Sequence, residues 1–320
     1  MNIKATDIPS KETPQPNPDP REGIIRDERY HHTLKRDLRR QQLRRVGHAI
    51  ASQYERTIWH PRWKQIQESN KRLSICIITM NSADRIRPLL QYLRPFADEL
   101  VVGVDSKTTD NTFDIAEELS DVVFTIQNDA LTCNSGLEAL VSRCTGDWVL
   151  RLDDDEFPEP HLLQLLPGLM ESPKFTHYKF PRLHLSRLEE TGELHWIPDS
   201  YLYPDFQMRL FKNDPDLLSY PGAVGHTSVM CKGKRGKVNT VNLIHLNLAI
   251  NPRHRREEKL TKYIKRLEGK WVHPVNEHAL LFEDYPYAEK PYTYPDEHFL
   301  LQMKRTITEQ RQAYSKQQSY

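Results

Sequence analysis

The sequence predicts an α/β fold built on a mostly parallel, Rossmann-like β-sheet flanked by helices. Between residues 73 and 156, four short apolar runs alternate with three stretches in which apolar residues recur at helical spacing. A β-α-β-α-β-α-β order requires parallel strands joined by right-handed crossovers. The fourth run begins at Trp148 and ends in four consecutive acidic residues, 153–156, after which Pro158 and Pro160 stop the strand. These acids are therefore expected at the carboxyl end of a central strand.

Each predicted element carries its own local signal. The predicted strands are residues 74–79, 100–104, 122–126 and 148–152. The intervening helices present apolar faces made by Ile86, Leu89, Leu90 and Leu93, by Ile115, Ala116 and Leu119, and by Leu137, Leu140 and Val141. Their predicted amino-terminal caps are Asn81 or Ser82, Asp110 or Asn111, and Ser135 with Glu138 as a capping box.

The chain divides into four segments by composition. Residues 1–20 carry five prolines and little apolar surface, which predicts a disordered tail. Residues 21–72 form a basic helical extension, with 14 Lys and Arg against 6 Asp and Glu. Residues 73–250 form the α/β domain. Residues 251–320 form a C-terminal helical segment and tail, whose apolar stripe consists of Leu260, Tyr263, Ile264 and Leu267.

The basic extension is predicted to be mostly helical, because residues 27–58 contain no proline. Its apolar residues are loosely periodic, namely Leu34, Leu38, Leu43, Val46 and Ile50. We interpret this segment as a solvated helix packed on the α/β domain. The alternative is a basic patch attracted to anionic lipid or to a phosphorylated partner.

Bulk properties exclude several classes of protein. A net charge of +1 argues against a wholly basic nucleic-acid binder, so no nucleic-acid partner is expected. The four cysteines, Cys76, Cys133, Cys144 and Cys231, show no paired spacing and suggest reduced thiols in a cytosolic protein. No apolar run is long enough to span a bilayer, and the N-terminus lacks a signal-peptide core. We therefore expect a cytoplasmic protein with possible peripheral contact at the inner face of an anionic membrane.

The acidic run predicts a site for a divalent cation and a phosphate. Open α/β sheets bind ligands at the carboxyl ends of their strands. Adjacent carboxylates repel one another, and a hard cation such as Mg²⁺ or Mn²⁺ would relieve that repulsion. The first strand is not followed by a glycine-rich phosphate loop, which disfavours a dinucleotide-binding fold and a nucleoside triphosphatase.

The chain contains four short elements in this order: Thr79-Met80-Asn81, residues 102–106 with 109–112 (VGVDS…TDNT), residues 134–137 (NSGL), and residues 146–148 with 152–156 (GDW…LDDDE). These elements resemble the inverting family-2 glycosyltransferases, which use the GT-A fold. A looser match at residues 203–211 (YPDFQMRLF) resembles bacterial members that build surface polysaccharide and lipopolysaccharide cores.

The resemblance implies a role for individual residues. Asp105 would accept hydrogen bonds from the donor's nucleobase, Asp153 would bind its ribose, and Asp155 would ligate the metal at the diphosphate. The remaining residues implied in the donor pocket are Thr79, Asn81, Asn134 and Asp154. Arg209 is the candidate cation for the leaving diphosphate, with an ordinary salt bridge as the alternative.

Inverting transfer also needs a carboxylate to take the proton of the acceptor hydroxyl. The acidic pair that usually supplies this base in the family is missing here. Asp205 is the predicted substitute, with Asp199 as the runner-up. His226 and His245 are candidates for a third metal ligand, although a histidine in an apolar strand is more often a satisfied core residue.

The sequence therefore predicts a metal-dependent transferase that moves a sugar from a nucleotide-diphosphate donor to a glycan, a lipid-linked acceptor or another hydroxyl, with inversion. One alternative is a non-catalytic protein of the same fold that binds a nucleotide sugar or acts as a scaffold. The other is a nucleotidyltransferase. It is disfavoured because residues 80–85 do not form the glycine-rich basic loop typical of that class.

Overall fold

The computed structural model describes residues 19, 21, 26–127, 136–198, 202–221, 229–266, 274–285 and 287–317. Its strands are β1 (Leu73–Thr79), β2 (Glu99–Asp105), β3 (Val122–Ile126), β4 (Trp148–Asp153), β5 (Glu156–Pro158), β6 (His177–Leu188), β7 (Leu194–Trp196), β8 (Asp205–Lys212), β9 (Leu218–Ser219), β10 (Met230–Cys231), β11 (Arg235–Lys237), β12 (Leu243–His245) and β13 (Lys290–Tyr292). Its helices are α1 (Glu28–Ile58), α2 (His60–Lys64), α3 (Ile86–Leu93), α4 (Thr112–Leu119), α5 (Leu137–Val141), α6 (Pro160–Met170), α7 (Asn247–Ile250), α8 (Arg253–Arg266), α9 (Pro274–Leu280) and α10 (Glu297–Gln317).

The predicted α/β class and the four motif-bearing strands are confirmed. Strands β3, β2, β1 and β4 lie side by side and run parallel, with β1 in the middle of this half of the sheet. Ile78 of β1 stands opposite Gly103 of β2 and Asp153 of β4, so the three strands end at one edge. All seven residues of β1 and of β2 are buried, as expected for parallel strands covered on both faces.

The other half of the sheet contains antiparallel pairs, so the sheet is mixed rather than purely parallel. The strand order is β13-β7-β6-β8-β4-β1-β2-β3, and β8 pairs antiparallel with both β4 and β6. These pairings join segments far apart in sequence, which a local hydrophobic pattern does not reveal. Strand β12 completes this half by pairing parallel with β6 and antiparallel with β5, which brings His245 opposite both His184 and Glu156.

The predicted apolar helix faces form the core on either side of the parallel half. Ile86, Leu89, Leu90 and Leu93 of α3 are fully buried, and Leu137, Leu140 and Val141 of α5 are buried to within 2%. Burying each such side chain contributes about 1.5–3 kcal/mol relative to leaving it exposed. The C-terminal helix α10 adds Phe299, Met303 and Ile307 to the same core, all with no exposed surface.

The N-terminal extension forms the predicted helix, and Leu34 at its start packs against the buried cluster of Tyr30 and Leu260. The later apolar residues Leu43, Val46 and Ile50 do not pack, since they are 74%, 60% and 67% exposed. Near its C-terminal end the helix docks through polar groups: Glu55 accepts hydrogen bonds from the Asn239 backbone N–H at 2.8 Å and from Thr240 Oγ1 at 2.6 Å. These bonds satisfy a buried carboxylate, so the polar face is the one turned inward.

The C-terminal segment also contains the predicted helices. Helix α8 buries Leu260 completely and Ile264 partly, while Leu267 lies outside the described residues. Among the residues that the structure describes, no helix is both long enough and apolar enough to cross a bilayer.

Candidate active site

The carboxyl ends of β1, β2 and β4 form the candidate site. They bring together Thr79, Asp105 and the acidic run 153–156, as the sequence predicted for strands that end at one edge. Asn134, Asp199 and His226, which the sequence also proposed as site residues, lie outside the described residues.

Asp154 is held by donors from the loop that follows β1. Thr79 Oγ1 donates to Asp154 Oδ2 at 2.7 Å, Arg85 Nη2 donates to the same atom at 3.0 Å, and Ser82 Oγ also donates to it. Arg85 is therefore a part of this edge that the motifs did not reveal. These bonds tie the β1 loop to the acidic run and leave Asp154 well satisfied.

Asn81 and Asp105 order the loop that follows β2. Asn81 takes a left-handed backbone conformation, with a φ of 49°, which asparagine tolerates better than most residues. Its Oδ1 accepts a hydrogen bond from the Thr109 backbone N–H at 2.8 Å, and Asp105 Oδ1 accepts one from the Lys107 N–H at 2.8 Å. Asp105 is 3% exposed, so the loop folds closely over it.

Arg209 is saturated by carboxylates. Its Nε donates to Glu156 Oε2 at 2.7 Å, and its Nη2 donates to Glu156 Oε1 at 2.7 Å and to Asp153 Oδ2 at 2.8 Å. Burial alone would raise the pKa of the Glu156 carboxyl, but the Arg209 guanidinium outweighs burial and holds that pKa below its usual range. This geometry favours the salt-bridge interpretation of Arg209 over the diphosphate-binding one.

Asp205 is paired with Arg182 at the start of β8. Arg182 Nη2 lies 2.7 Å from Asp205 Oδ2, and Gln207 Nε2 donates to Asp205 Oδ1 at 2.7 Å. Burial alone would raise the pKa of Asp205, but the Arg182 guanidinium outweighs burial and holds that pKa far below its usual range. The side chain is still 30% exposed, so an acceptor can reach it.

Two imidazoles connect Asp155 with Asp205. His245 Nε2 lies 3.2 Å from Asp155 Oδ2, and His245 Nδ1 shares a hydrogen bond with His184 Nδ1 at 2.9 Å. His184 Nε2 in turn points to Asp205 Oδ2 at 3.8 Å, which is too long for a hydrogen bond. Burial lowers the pKa of His184 to about 4, so its ring is neutral near pH 7.

The Asp155–His245 pair has the spacing of two ligands to one ion. Two ligand atoms about 2.1 Å from the same cation and at a right angle lie about 3.0 Å apart, close to the observed 3.2 Å. No group of three or more metal-binding side chains occurs in the described parts of the chain. A two-ligand site suits Mg²⁺ or Mn²⁺, which commonly keep waters and phosphate oxygens as the other ligands. The residues present therefore fit such an ion.

Local motifs missed Arg182 and His184. Both lie on β6 two residues apart, and therefore on the same face of the strand. That two-residue spacing is the sequence signal that could have placed Arg182 and His184 together. Their proximity to Asp205 and His245 depends on the non-local pairing of β6 with β8 and β12.

The fold and the arrangement of these residues define a GT-A-type α/β domain. Residues 74–231 match the profile of the family described as Glycosyl transferase family 2. The chain therefore carries a family-2 glycosyltransferase domain, and the resemblance of its motifs to that family is confirmed.

Two relatives from Rickettsia, each named an uncharacterized glycosyltransferase, match part of the chain. The protein of R. felis is 37% identical over 86 residues, which cover 27% of this chain and 29% of the relative. The protein of R. bellii is 39% identical over 87 residues, which cover 27% of this chain and 28% of the relative. The match thus spans less than a third of either relative.

Among solved structures, the likeness is partial. Glucosyl-3-phosphoglycerate synthase of Mycobacterium tuberculosis, in complex with Mn²⁺, uridine diphosphate and glucosyl-3-phosphoglycerate, aligns with a TM-score of 0.41 at 13% identity, over 73% of this chain and 91% of that one. TarS of S. aureus aligns with a TM-score of 0.39 at 14% identity, over 66% of this chain and 42% of that one.

Proposed function

We propose that the protein is a metal-dependent glycosyltransferase that moves a sugar from a nucleotide-diphosphate donor to a hydroxyl acceptor, with inversion. The observation that carries this proposal is the Asp155–His245 pair, 3.2 Å apart, at the edge where Asp105 and Asp153 also end their strands. The acceptor is a glycan or a lipid-linked sugar of a surface polysaccharide or lipopolysaccharide core, in keeping with the motif at residues 203–211.

In this proposal Asp155 and His245 would hold Mn²⁺ or Mg²⁺, which would supply positive charge beside the leaving diphosphate. Asp105 accepts hydrogen bonds from the nucleobase and Asp153 binds the ribose. Thr79, Asn81 and Asp154 fix the loops around the donor, through the hydrogen bonds of Thr79 and Arg85 to Asp154 and of Thr109 to Asn81.

The test is a turnover assay on a panel of nucleotide sugars, with and without Mn²⁺. We expect metal-dependent transfer or donor hydrolysis by the wild-type protein. Asp155→Ala should abolish metal-dependent nucleotide binding in a calorimetric titration while the protein stays folded. Unchanged metal-dependent affinity in this variant would exclude Asp155 as a ligand.

Asp205 remains our proposed general base. Its exposure and its position 3.8 Å from His184, which contacts His245, support the assignment. Its lowered pKa keeps it ionised at working pH but also makes it a weaker proton acceptor. Asp205→Asn should therefore lower kcat by about 10²–10⁴-fold and leave nucleotide affinity nearly unchanged. Near wild-type turnover in this variant would make Asp205 a structural partner of Arg182 and redirect the search to Asp199.

The pairing of Asp205 with Arg182 also favours one alternative, a protein that binds a nucleotide sugar without turning it over. The same panel separates the two functions. Tight, metal-dependent nucleotide binding with neither transfer nor hydrolysis would support the binding module and exclude the enzyme.

We further propose that helix α1 touches an anionic membrane through its outer face. This face carries Leu43, Val46, Ile50 and Tyr54, spaced three or four residues apart and each at least 59% exposed. The preceding turns of the same face carry exposed basic residues, namely Lys35, Arg36, Arg39 and Arg40. Apolar groups next to clustered positive charge suit an anionic lipid surface, and the same charge opposes pairing with a second copy.

Sedimentation with phosphatidylglycerol vesicles tests this contact. Binding should fall steeply with salt, and the double change Leu43→Ser and Ile50→Ser should weaken it without changing the fold, because both side chains are exposed. Gln42→Ser, also on the exposed surface of α1, is the matched control. A wild-type dimer that ignores vesicles and dissociates in the double variant would assign the face to self-association instead.

A further inference from the structure

A pocket of about 520 Å³ lies between the end of β6 and the helices α7, α8 and α10. Its volume falls within the range of about 300–1,000 Å³ that is typical of small-molecule sites. Except for Ser186 and Arg187, its lining residues follow residue 247, so they lie outside residues 74–231, which match the family profile. The family match therefore assigns no ligand to this pocket.

The pocket adjoins the candidate active site. Ser186 follows His184 on β6 by two residues, which is about 7 Å along a strand. A smaller cleft of about 250 Å³, with Asp155 in its wall, shares Asn251 and Tyr314 with the pocket. A ligand in the pocket would therefore lie next to the site on the antiparallel half of the sheet, whereas the motif-bearing strands form the parallel half.

A β-bulge places Ser186 in the wall of the pocket. In the pairing of β6 with β7, Leu185 stands opposite Trp196 and Arg187 stands opposite His195, so β6 has one extra residue at Ser186. Bulges re-aim side chains and are frequent next to functional sites. Ser186 is 3% exposed, and its Oγ has no hydrogen-bond partner among the residues that the structure describes. An unpaired buried hydroxyl is costly, and a ligand that bonds to it would remove that cost.

Glu289 supplies a second polar atom without a partner. Its Oε2 lies 3.2 Å from Arg187 Nε, whereas its Oε1 is buried and accepts no hydrogen bond within the described part of the chain. An ionised carboxylate can only accept hydrogen bonds, whereas a serine hydroxyl can both donate and accept them. Glu289 Oε1 and Ser186 Oγ therefore suit a ligand that carries hydroxyl groups.

The arginines of the pocket are already engaged by the protein. Besides the pair of Arg187 with Glu289, Arg256 donates to Glu283 at 2.9 Å, and Arg311 donates to the Ala249 backbone carbonyl at 2.9 Å. An anionic ligand would have to compete with these partners for the guanidinium groups. The distribution of charge therefore favours a neutral ligand.

The rest of the wall is apolar or aromatic. It consists of Leu248, Ala249, Pro252, Phe282 and Tyr314. The half-buried Tyr314 is held in place, because its hydroxyl donates to Asn251 Oδ1 at 3.0 Å. Small-molecule sites typically combine such walls with a few polar groups that orient the ligand. A sugar ring has both complementary features, namely faces of C–H groups and hydroxyl groups at its edge.

We propose that this pocket binds a neutral sugar ring through Ser186, Glu289 and the wall that includes Phe282 and Tyr314. The sugar's hydroxyl groups donate to Glu289 Oε1 and bond to Ser186 Oγ, and its C–H faces pack on the apolar wall. Binding of the ring stands on the pocket itself. That the ring is one unit of a glycan acceptor rests on the proposed transferase function and on the position of the pocket next to His184.

Saturation-transfer NMR of the full-length protein tests the pocket, with glucose, galactose, mannose and N-acetylglucosamine as probes. We expect at least one of these sugars to bind. Ser186→Ala removes one neutral hydrogen bond and should weaken binding by about three- to tenfold, and Glu289→Gln should weaken it at least as much. Thr308→Ala is the matched control, because it removes an exposed hydroxyl from α10 that does not line the pocket.

The unfolding midpoint of Ser186→Ala in urea separates a ligand-binding role from a structural one. Because Ser186 Oγ bonds to no described residue, its removal should not lower the midpoint. A clearly lower midpoint would show that the hydroxyl supports the fold and would overturn its assignment to the ligand. Failure of all four sugars to bind the wild type, or equal affinities in wild type, Ser186→Ala and Glu289→Gln, would overturn the pocket as a sugar site.

The role in the reaction has a separate readout. With a glycan acceptor, Ser186→Ala should raise the KM for the acceptor and leave nucleotide affinity unchanged. An unchanged KM together with weakened sugar binding would overturn the acceptor role. If the proposed function is wrong, wild-type protein shows no turnover with any donor, although the sugar affinities of wild type and Ser186→Ala still differ.

Discussion

Two groups of cations flank the acidic run 153–156, and they differ in how their charge is compensated. The sheet-side cations, Arg209 and Arg182, have 8% and 19% of their side chains exposed and bond directly to carboxylates. The helix-side cations, Arg255 and Lys259, are exposed on α8, where Arg255 lies 3.4 Å from Glu258, a partner that is itself exposed. Burying an unpaired charge is costly, so the first group is tied to the stability of the fold. Exposed charges are solvated by water, so the second group is expected to contribute little to stability.

This difference shows why a motif match by itself does not assign a functional role to an arginine. The stretch around Arg209 resembles a family segment, and a leaving diphosphate needs a cation, so the sequence made Arg209 a reasonable candidate. The register of β8 against β4 and β6 directs its guanidinium toward Glu156, which has no exposed surface. The basic residues of α8 carry no recognised motif, yet they line the cleft beside Asp155.

The largest expected effect is a loss of stability when a sheet-side cation is replaced. Arg209→Met leaves Glu156 buried without its main partner, and breaking a buried pair in this way costs about 3–5 kcal/mol of unfolding free energy. Urea denaturation of wild type and variant measures the loss, with Lys259→Met as the helix-side control. A loss no larger than that of Lys259→Met would mean that Arg182, 3.2 Å from Glu156, carries the compensation by itself.

The second largest effect is expected in the pH dependence of the unfolding free energy, which should reflect the sheet-side cations and not the helix-side cations. The folded pKa values of Glu156 and Asp205 are lowered from 4.5 and 3.8, because the sheet-side cations outweigh burial. Such groups stabilise the fold above their unfolded pKa, and this contribution is lost as the pH falls through the folded pKa. The unfolding free energy should therefore decline as the pH is lowered below about 4.5.

The Arg209→Met variant sharpens this test. Without the guanidinium, only Arg182 and His245 oppose the effect of burial, so the folded pKa of Glu156 should rise toward its unfolded value and protonation should destabilise the variant less. The decline below pH 4.5 should be shallower than in wild type. The unfolding free energies of wild type and variant can be measured by urea denaturation at several pH values and constant ionic strength. An equal decline with pH in the two proteins would show that Glu156 does not contribute to the acid sensitivity of the fold.

A smaller effect is expected at His184, which lies between Asp205 and the proposed metal ligand His245. Groups that orient a metal-ligating histidine typically contribute about 10–100-fold in metal affinity. His184→Leu should lower Mn²⁺ affinity by that factor, whereas His184→Asn, which keeps a polar atom near the Nδ1 position, should restore part of it. Equal Mn²⁺ affinities in a calorimetric titration of the three proteins would remove His184 from the site.

The sequence could predict the strand ends, and it offered His245 as a candidate ligand, but it could not predict His184 or the position of His245 beside Asp155. Asp105, Asp153 and Asp155 follow locally readable strands, and parallel strands end at a common edge, so their proximity follows from pattern and handedness. His245 reaches Asp155 only because β12 pairs with β5 and β6, between segments separated by tens of residues. Similarly, the inward face of α1 is chosen by the Glu55 bonds to Asn239 and Thr240, which no periodicity encodes.

The smallest expected effect is a gain in the unfolding free energy, whereas the Arg209→Met prediction was a loss. Arg255 and Lys259 are like charges four residues apart on α8, and such pairs destabilise a helix by about 0.2–0.5 kcal/mol. Lys259→Met removes this repulsion and breaks no hydrogen bond or ion pair in the described chain, so it should raise the unfolding free energy by about that amount at low salt. The gain should vanish at high salt, because exposed charges are screened.

Lys262→Met should act in the other direction, since Glu258 lies four residues before it in the favourable order. Urea denaturation of the two variants at low and high salt makes the comparison. A Lys259→Met variant that is slightly more stable than wild type would mean that the lysine is kept at a cost to the fold. A variant that loses stability would instead show that Lys259 supports the fold, which would place it with Arg209 and remove the distinction between the two groups.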